Sequence, residues 1–200
     1  MDWLDQRGIT MEAVLNFQPV IDLTEDQFFE FCQLNRDVRI ERNAKGEILV
    51  MPPTGGVTGD RNAELNMQLR LWAKQDGTGV TFDSSTGFVL PDRSVRSPDG
   101  AWVARWRYDA LTEAQKDRFL PLCPEFVIEL KSPSDYLPLL QQKMEAYIEN
   151  GTHLGWLIAP EQKTVAIYRP QRSVEVRENL NALSAAPTLP GFVLNLSEIW

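Results

Sequence analysis

Asp99, Glu129 and Lys131 are the residues of this chain whose types and setting could do chemistry. Asp99 sits in Ser97-Pro98-Asp99-Gly100-Ala101-Trp102-Val103, the other two in Glu125-Phe126-Val127-Ile128-Glu129-Leu130-Lys131. Both segments put charge where an apolar core is expected. Side chains alternate along a strand, so Phe126, Ile128 and Leu130 point one way and Glu129 and Lys131 the other. Opposite charges at the end of an apolar strand are costly to bury without partners. Two carboxylates offer the hard oxygens that suit Mg²⁺, a cation that takes few carboxylates and keeps several waters. The Leu130 carbonyl, between the two charged side chains, is a further oxygen for such a cation. Lys131 could orient or deprotonate a metal-bound water, or offset charge building on a phosphate. A plainer reading needs no ligand. Pro-Asp-Gly is a common turn, and Glu129 with Lys131 could form an ion-pair set at a sheet edge.

The elements that must position these residues are legible in outline. Thr24 and Gln27 have the spacing of a capping box, so a helix starts at Thr24 and carries Phe28 and Phe31 on one stripe. Val38–Arg42 and Glu47–Met51 alternate around Asn43-Ala44-Lys45-Gly46 and read as a hairpin. A second helix is expected over about Asp60–Gln75, with Leu65, Leu69 and Trp72 on one face. The stretch from Val80 to Arg107 is strand-like, its last piece running from Asp99 to Arg107. A polar loop from Tyr108 to Cys123 carries a short helix from Thr112. Phe126–Lys131 reads as a buried strand. Leu137–Asn150 reads as a helix with Leu140, Met144 and Tyr147 on its apolar face, stopped by Gly151. Leu154–Ala159 and Thr164–Arg169 are further strands, Ser173–Arg177 a candidate third, and Pro190–Leu194 a last extended piece. Helices and strands intermixed without a repeat indicate a mixed α/β fold. Residues 1–23 read as an N-terminal arm and 24–200 as a single domain.

At this point the residues resemble a known group. Pro98-Asp99, followed by Glu129-Leu130-Lys131 on a core strand that leads into a helix, is similar to the PD-(D/E)xK nuclease superfamily. More narrowly, the ordered run of Met51-Pro52-Pro53-Thr54-Gly55-Gly56, Ser97-Pro98-Asp99, Glu129–Asp135, the Lys143–Gly151 helix end, Leu189–Phe192 and Leu196–Trp200 resembles the Uma-two family of restriction endonucleases. The likeness covers about Val38 to Trp200. It implies a restriction-endonuclease-like core, a central mixed β-sheet flanked by helices, here preceded by the N-terminal helix and β-hairpin. It also implies phosphodiester hydrolysis with Mg²⁺, for which Mn²⁺ would substitute. Superfamily members often add a glutamate from the first core helix to the metal site, and Glu64 stands at that place. Glu64 could equally be a helix glutamate paired with Arg61 or Gln68.

Arg96, Arg105 and Arg107 cluster in sequence near Asp99 and are candidates to grip a nucleic-acid backbone. Asp99, Arg105 and Arg107 would share a strand face if no bulge intervenes. Lys143, on the helix after the Glu129 strand, is a fourth candidate, or a solvated lysine. Trp102 and Trp106 read as packing residues rather than base-stacking platforms.

Composition narrows the function classes. The formal net charge of -8 counts against a protein that simply coats DNA, yet a local positive patch is enough for a nuclease. The lone histidine, His153, excludes a histidine-rich zinc site. Cys32 and Cys123 match no ligand or redox spacing, which suits a reducing cytoplasm. The opening MDWLDQRGIT has no apolar run and does not read as a signal peptide, and no stretch is apolar enough to cross a membrane. The expected partner is DNA. Cutting both of its strands would favour a homodimer. A catalytically silent binding or assembly module on the same scaffold is the competing reading, and hydrolysis of RNA or of a small nucleotide diester a third.

Overall fold

The computed structural model describes residues 13–17 and 20–200. Most of the expected N-terminal arm, the segment free of a signal-peptide pattern included, lies outside the described residues. In chain order the elements are β1 (Ala13–Leu15), α1 (Glu25–Leu34), β2 (Arg39–Arg42), β3 (Ile48–Met51), α2 (Gly56–Asp76), β4 (Gly79–Asp83), β5 (Phe88–Val89), β6 (Val95–Arg96) and β7 (Gly100–Ala104). There follow α3 (Arg105–Asp109), α4 (Glu113–Lys116), β8 (Phe126–Leu130), α5 (Leu137–Glu149), β9 (Leu154–Ala159), β10 (Thr164–Tyr168), β11 (Glu175–Glu178), β12 (Ala182–Ser184) and β13 (Val193–Asn195).

A six-stranded sheet in the order β11-β10-β9-β8-β7-β4 forms the centre. It is mixed: β8 and β9 run parallel, joined through α5, and the other neighbours are antiparallel. Both faces are covered. Residues 126, 128 and 130 of β8 face one core, with Leu65 and Leu69 of α2 and with Phe192 and Leu194 near the C-terminus. Val127 faces the other core, with Ala101, Val103, Leu157 and α5's Met144 and Tyr147. Two-residue alternation therefore sends Glu129 to the α5 face, where only apolar neighbours would otherwise be expected. The central sheet is the expected one, and α2 and α5 flank it.

A second sheet, β1-β3-β2-β6-β5, holds the hairpin. Its own small core gathers Phe28 of α1 with Ile40, Ile48 and Val95. Thr24 caps α1 through the reciprocal box with Gln27, as the spacing indicates. β1, within the expected N-terminal arm, pairs with β3.

One local expectation fails. The strand predicted from Asp99 to Arg107 ends at Ala104, and Arg105 opens α3. The Arg105 N–H donates to Thr78 O at 2.8 Å, and its guanidinium to Gly77 O at 3.3 Å and Gly79 O at 3.2 Å. These bonds tie the chain to the start of β4 and turn it out of the sheet. Asp99 thus precedes the strand and Arg105 follows it, about 20 Å apart at ~3.3 Å per residue. Asp99, Arg105 and Arg107 do not share a face. Trp106, on α3, is exposed rather than packed, while Trp102 is buried.

Candidate active site

The site lies where the two sheets meet. β2 brings Arg39 and Glu41, the strand end before β7 brings Asp99, β8 brings Glu129, and α5 brings Lys143 and Tyr147. Glu41, Asp99, Glu129 and Lys143 are all buried.

Asp99 is fixed by the main chain. In the parallel β8–β9 ladder the Lys131 N–H donates to Ile158 O, so the Leu130 N–H and C=O point the other way, toward β7. The antiparallel register pairs Gly100 with Ile128, which puts Pro98 opposite Leu130. Proline has no N–H for the Leu130 carbonyl. The Leu130 N–H meets the Asp99 carboxylate instead, at 2.9 Å from Oδ2. Asp99 Oδ1 is 3.2 Å from Arg39 Nη1. From α2, Asn66 donates to the Asp99 carbonyl at 2.8 Å. The strand break at Pro98-Asp99 is thus what converts a ladder position into a carboxylate site.

Glu129 has charged and polar company on the α5 face. Its Oε1 is 2.8 Å from Lys143 Nζ and 3.1 Å from the Tyr147 hydroxyl, which donates to it. Burial pushes this carboxyl up, Lys143 pulls it down, and Asp99 and Glu41 push it up again, to about 7. Lys143 also reaches Glu41 Oε1 at 2.8 Å. Glu41 accepts further from the Ser97 N–H at 3.0 Å and pairs with Arg96 Nη1 at 3.2 Å and Arg39 Nη2 at 3.5 Å. Burial alone would raise the Glu41 carboxyl, but Lys143, Arg39 and Arg96 together hold it far below its ordinary value. The lysine in turn is held protonated: burial works against its charge, and Glu129 and Glu41 outweigh that. Arg39 also donates to the Ser97 carbonyl through Nη2.

Of the residues singled out in the sequence, the structure brings together Asp99, Glu129, Leu130 and Lys143, with Arg96 one step behind at Glu41. Lys131 is half-buried, and its ammonium donates to Ser132 O at 2.9 Å. Glu64, half-buried on α2, accepts from Gln68 at 2.8 Å, and Gln68 also bonds the Asn195 main chain. Arg105 is engaged at the start of β4. Arg107 pairs with Glu125 at 2.8 Å and with the Cys123 carbonyl, at the far end of β7 from Asp99. Sequence reasoning missed Arg39, Glu41 and Tyr147. The only local signal was the run Arg39-Ile40-Glu41-Arg42, whose alternation is equally that of a half-exposed hairpin.

The donor set fits a hard divalent cation. Asp99 and Glu129 would supply carboxylate oxygens and Leu130 a carbonyl oxygen on the strand edge shared with Asp99. Among the described residues, no three Asp, Glu, His or Cys side chains converge on a common metal position. Two carboxylates with one carbonyl match the preference of Mg²⁺ for few protein oxygens and several waters, not that of a closed all-protein cage.

Comparison with known sequences places the chain in a family. The chain matches the family described as "Uma2: Putative restriction endonuclease" over residues 25–197. The chain belongs to the Uma2 family. The matched span contains every residue of the site, Arg39 through Tyr147. Among solved structures, the chain is similar to the one titled "Crystal structure of a putative nuclease belonging to DUF820 from Anabaena variabilis ATCC 29413", with a TM-score of 0.72. The two are 22% identical, over 89% of this chain and 97% of that one. At that identity the likeness establishes the fold, which is restriction-endonuclease-like. Comparison with curated proteins finds no match. No helix among the described residues is long and apolar enough to cross a membrane.

Proposed function

We propose that this Uma2 chain is a Mg²⁺-dependent endonuclease that hydrolyses phosphodiester bonds in DNA. The observation that carries the reading is the Asp99 carboxylate held against the Leu130 N–H, one residue from Glu129, at a break in the central sheet. Asp99, Glu129 and the Leu130 carbonyl would hold the cation. A divalent cation held there would supply Lewis acidity toward a phosphate oxygen and toward the attacking water.

The remaining chemistry belongs to the chain. Leu130 and Asn66 fix Asp99 through main-chain bonds, so its carboxylate is pre-oriented. Lys143 and Tyr147 hold Glu129 in one rotamer and offset its charge in a buried setting. Lys131 leaves the end of the same strand, and among the described residues its ammonium bonds only a main-chain carbonyl. From there it would orient the attacking water or offset charge on the phosphate. Cleavage of both strands would be served by a two-fold dimer.

The test is nicking of a supercoiled plasmid in Mg²⁺ or Mn²⁺ by the wild type and by Asp99→Ala, Glu129→Ala and Lys131→Ala. Loss of nicking in each variant is expected; equal activity in all four proteins rejects the assignment. One observation favours a second reading, a silent module that keeps the scaffold. Asp99 and Glu129 already have cationic partners within the chain, Arg39 and Lys143. Calorimetric titration with Mg²⁺ separates the two, since a silent scaffold would show no binding that depends on Glu129.

A further inference from the structure

Three cations surround Glu41, and one differs from the others. The side chains of Arg96 and Lys143 are each 9% exposed, that of Arg39 is 30% exposed. Arg96 and Lys143 therefore have no surface to offer a large ligand. Arg39 has such a surface, and it is the cation paired with Asp99. Its Nε–H, like that of Arg96, is buried without a hydrogen-bond partner among the described residues, while its two terminal nitrogens meet Asp99, Glu41 and the Ser97 carbonyl. An unpaired guanidinium donor in a buried setting costs free energy until an acceptor arrives.

Charge balance says what that acceptor is. With Glu129 ionised, as a bound cation would require, Arg39, Arg96 and Lys143 match Asp99, Glu129 and Glu41 one for one. A divalent cation on Asp99 and Glu129 would leave two positive charges uncompensated in a buried site, where net charge is expensive. The missing group is anionic. Guanidinium geometry suits phosphate oxygens, which it engages through paired N–H donors.

We propose that Arg39 is the phosphate-binding residue of this site, its guanidinium passing from Asp99 to a non-bridging oxygen of a nucleic-acid phosphodiester. This rests on the nuclease reading above and adds a residue that the catalytic trio does not contain. Before substrate arrives, Arg39 neutralises Asp99. With substrate bound, the same charge serves the phosphate, so the hairpin sheet contributes directly to recognition.

The experiment is fluorescence anisotropy with a labelled duplex of about 20 base pairs, in Ca²⁺ in place of Mg²⁺ to limit hydrolysis, across a salt series. Wild type, Arg39→Gln, Arg39→Met, Arg39→Lys and Lys45→Met are compared, with folding checked by circular dichroism. Each lost phosphate contact lowers the slope of log K against log salt by about 0.9. The neutral Arg39 variants should lose roughly tenfold in affinity and about one unit of that slope. Arg39→Lys should keep the slope, and Lys45→Met, an exposed turn residue, should change neither. Full affinity and slope in the neutral variants, with wild type binding normally, overturns the role of Arg39 alone. A wild type that binds no duplex overturns the nuclease reading and this inference with it. Should the neutral variants not fold, the Arg39 Nε–H resonance of the wild type decides: it moves on duplex addition if Arg39 engages phosphate, and stays in place if it does not.

Discussion

Lys143 and Glu41, 102 residues apart in the chain, meet at 2.8 Å in the interior of the protein. The same ammonium is 2.8 Å from Glu129, so one side chain of α5 joins the hairpin sheet to the central sheet. Both carboxylates are buried, and the lysine offsets charge that each would otherwise carry into an apolar setting.

Replacing Lys143 by Met should therefore be costly. Breaking a buried pair by removing one partner typically costs about 3–5 kcal/mol. Here Glu41 retains Arg39 and Arg96, whereas Glu129 retains only the Tyr147 hydroxyl as a close partner. Urea unfolding should place Lys143→Met near the low end of that range below wild type. Adding Glu129→Gln should recover part of the loss, since an amide needs no countercharge. An unchanged midpoint in Lys143→Met would mean that the two sheets are not coupled through this charge.

Lys131 should behave in the opposite way. Among the described residues its ammonium contacts a single main-chain carbonyl, and it sits at a strand end. Lys131→Ala should leave unfolding within about 0.5 kcal/mol of wild type, yet lower plasmid nicking by roughly 10²–10³, the size expected for removing one stabiliser of transition-state charge. A stable variant with full nicking would take Lys131 out of the reaction and leave Lys143 as the lysine of the site.

Legibility in the sequence follows from how local each signal is. The capping box at Thr24, the stripe of Leu140, Met144 and Tyr147, and the apolar run around Glu129 are written within one turn or one strand. Glu129 stands out because it interrupts an apolar stretch, and Asp99 because it stands just before one. Glu41 does not stand out, because its burial comes from distant elements: β6, which pairs Arg42 with Val95, and the Lys143 turn of α5. Lys143 flanks the apolar stripe of its helix, a position that suits solvent or cleft equally, and only the docking of α5 on β8 and β9 decides. The early end of β7 at Ala104 depends on bonds from Arg105 to Gly77 and Gly79, 28 and 26 residues earlier. No periodicity within the segment announces those.

Tyr147 offers a finer probe of the Glu129 setting. Its hydroxyl donates to Glu129 Oε1 at 3.1 Å, and both residues are buried. Tyr147→Phe keeps the ring, so packing in the α5 core is preserved and only the hydrogen bond is lost. Such a bond to a charged group contributes about 1.5–3 kcal/mol. The variant should unfold earlier by that order, and its nicking should fall less than that of Lys143→Met, because the lysine still holds the carboxylate. A Tyr147→Phe protein as stable as wild type would show that the hydroxyl contributes nothing net.

Close packing beside the sheet gives a prediction independent of charge. Gly79, in β4, pairs with Ala104 of β7, and a Cβ at Gly79 would fall within the Trp102 indole. Trp102 is buried against α2 and Trp72, so the ring has little room to withdraw. Gly79→Ala should cost about 1–3 kcal/mol through overpacking, and thermal unfolding should show it. Wild-type stability in that variant would mean that the indole is free to move.

Acid should expose the part played by Glu41. Its carboxyl is held at about 2 in the folded chain against an ordinary value of 4.5. Burial raises it, but Lys143, Arg39 and Arg96 lower it by more. A depressed folded value means that the unfolded chain binds more protons between the two, so this group's stabilisation is complete above about pH 4.5 and is lost as pH falls toward about 2. At about 1.4 kcal/mol per unit, the loss is on the order of 3 kcal/mol. Glu41→Gln in metal-free buffer should cost several kcal/mol at pH 7, where three cations lose a partner. That gap should narrow steadily between pH 4.5 and the acid limit of the folded state, because the wild-type carboxyl then becomes neutral as well. Paired urea titrations across this range would reveal the closing gap, and a gap that stays constant would show that the folded chain does not depress the Glu41 carboxyl, so that Glu41 is not the anion at the centre of the network.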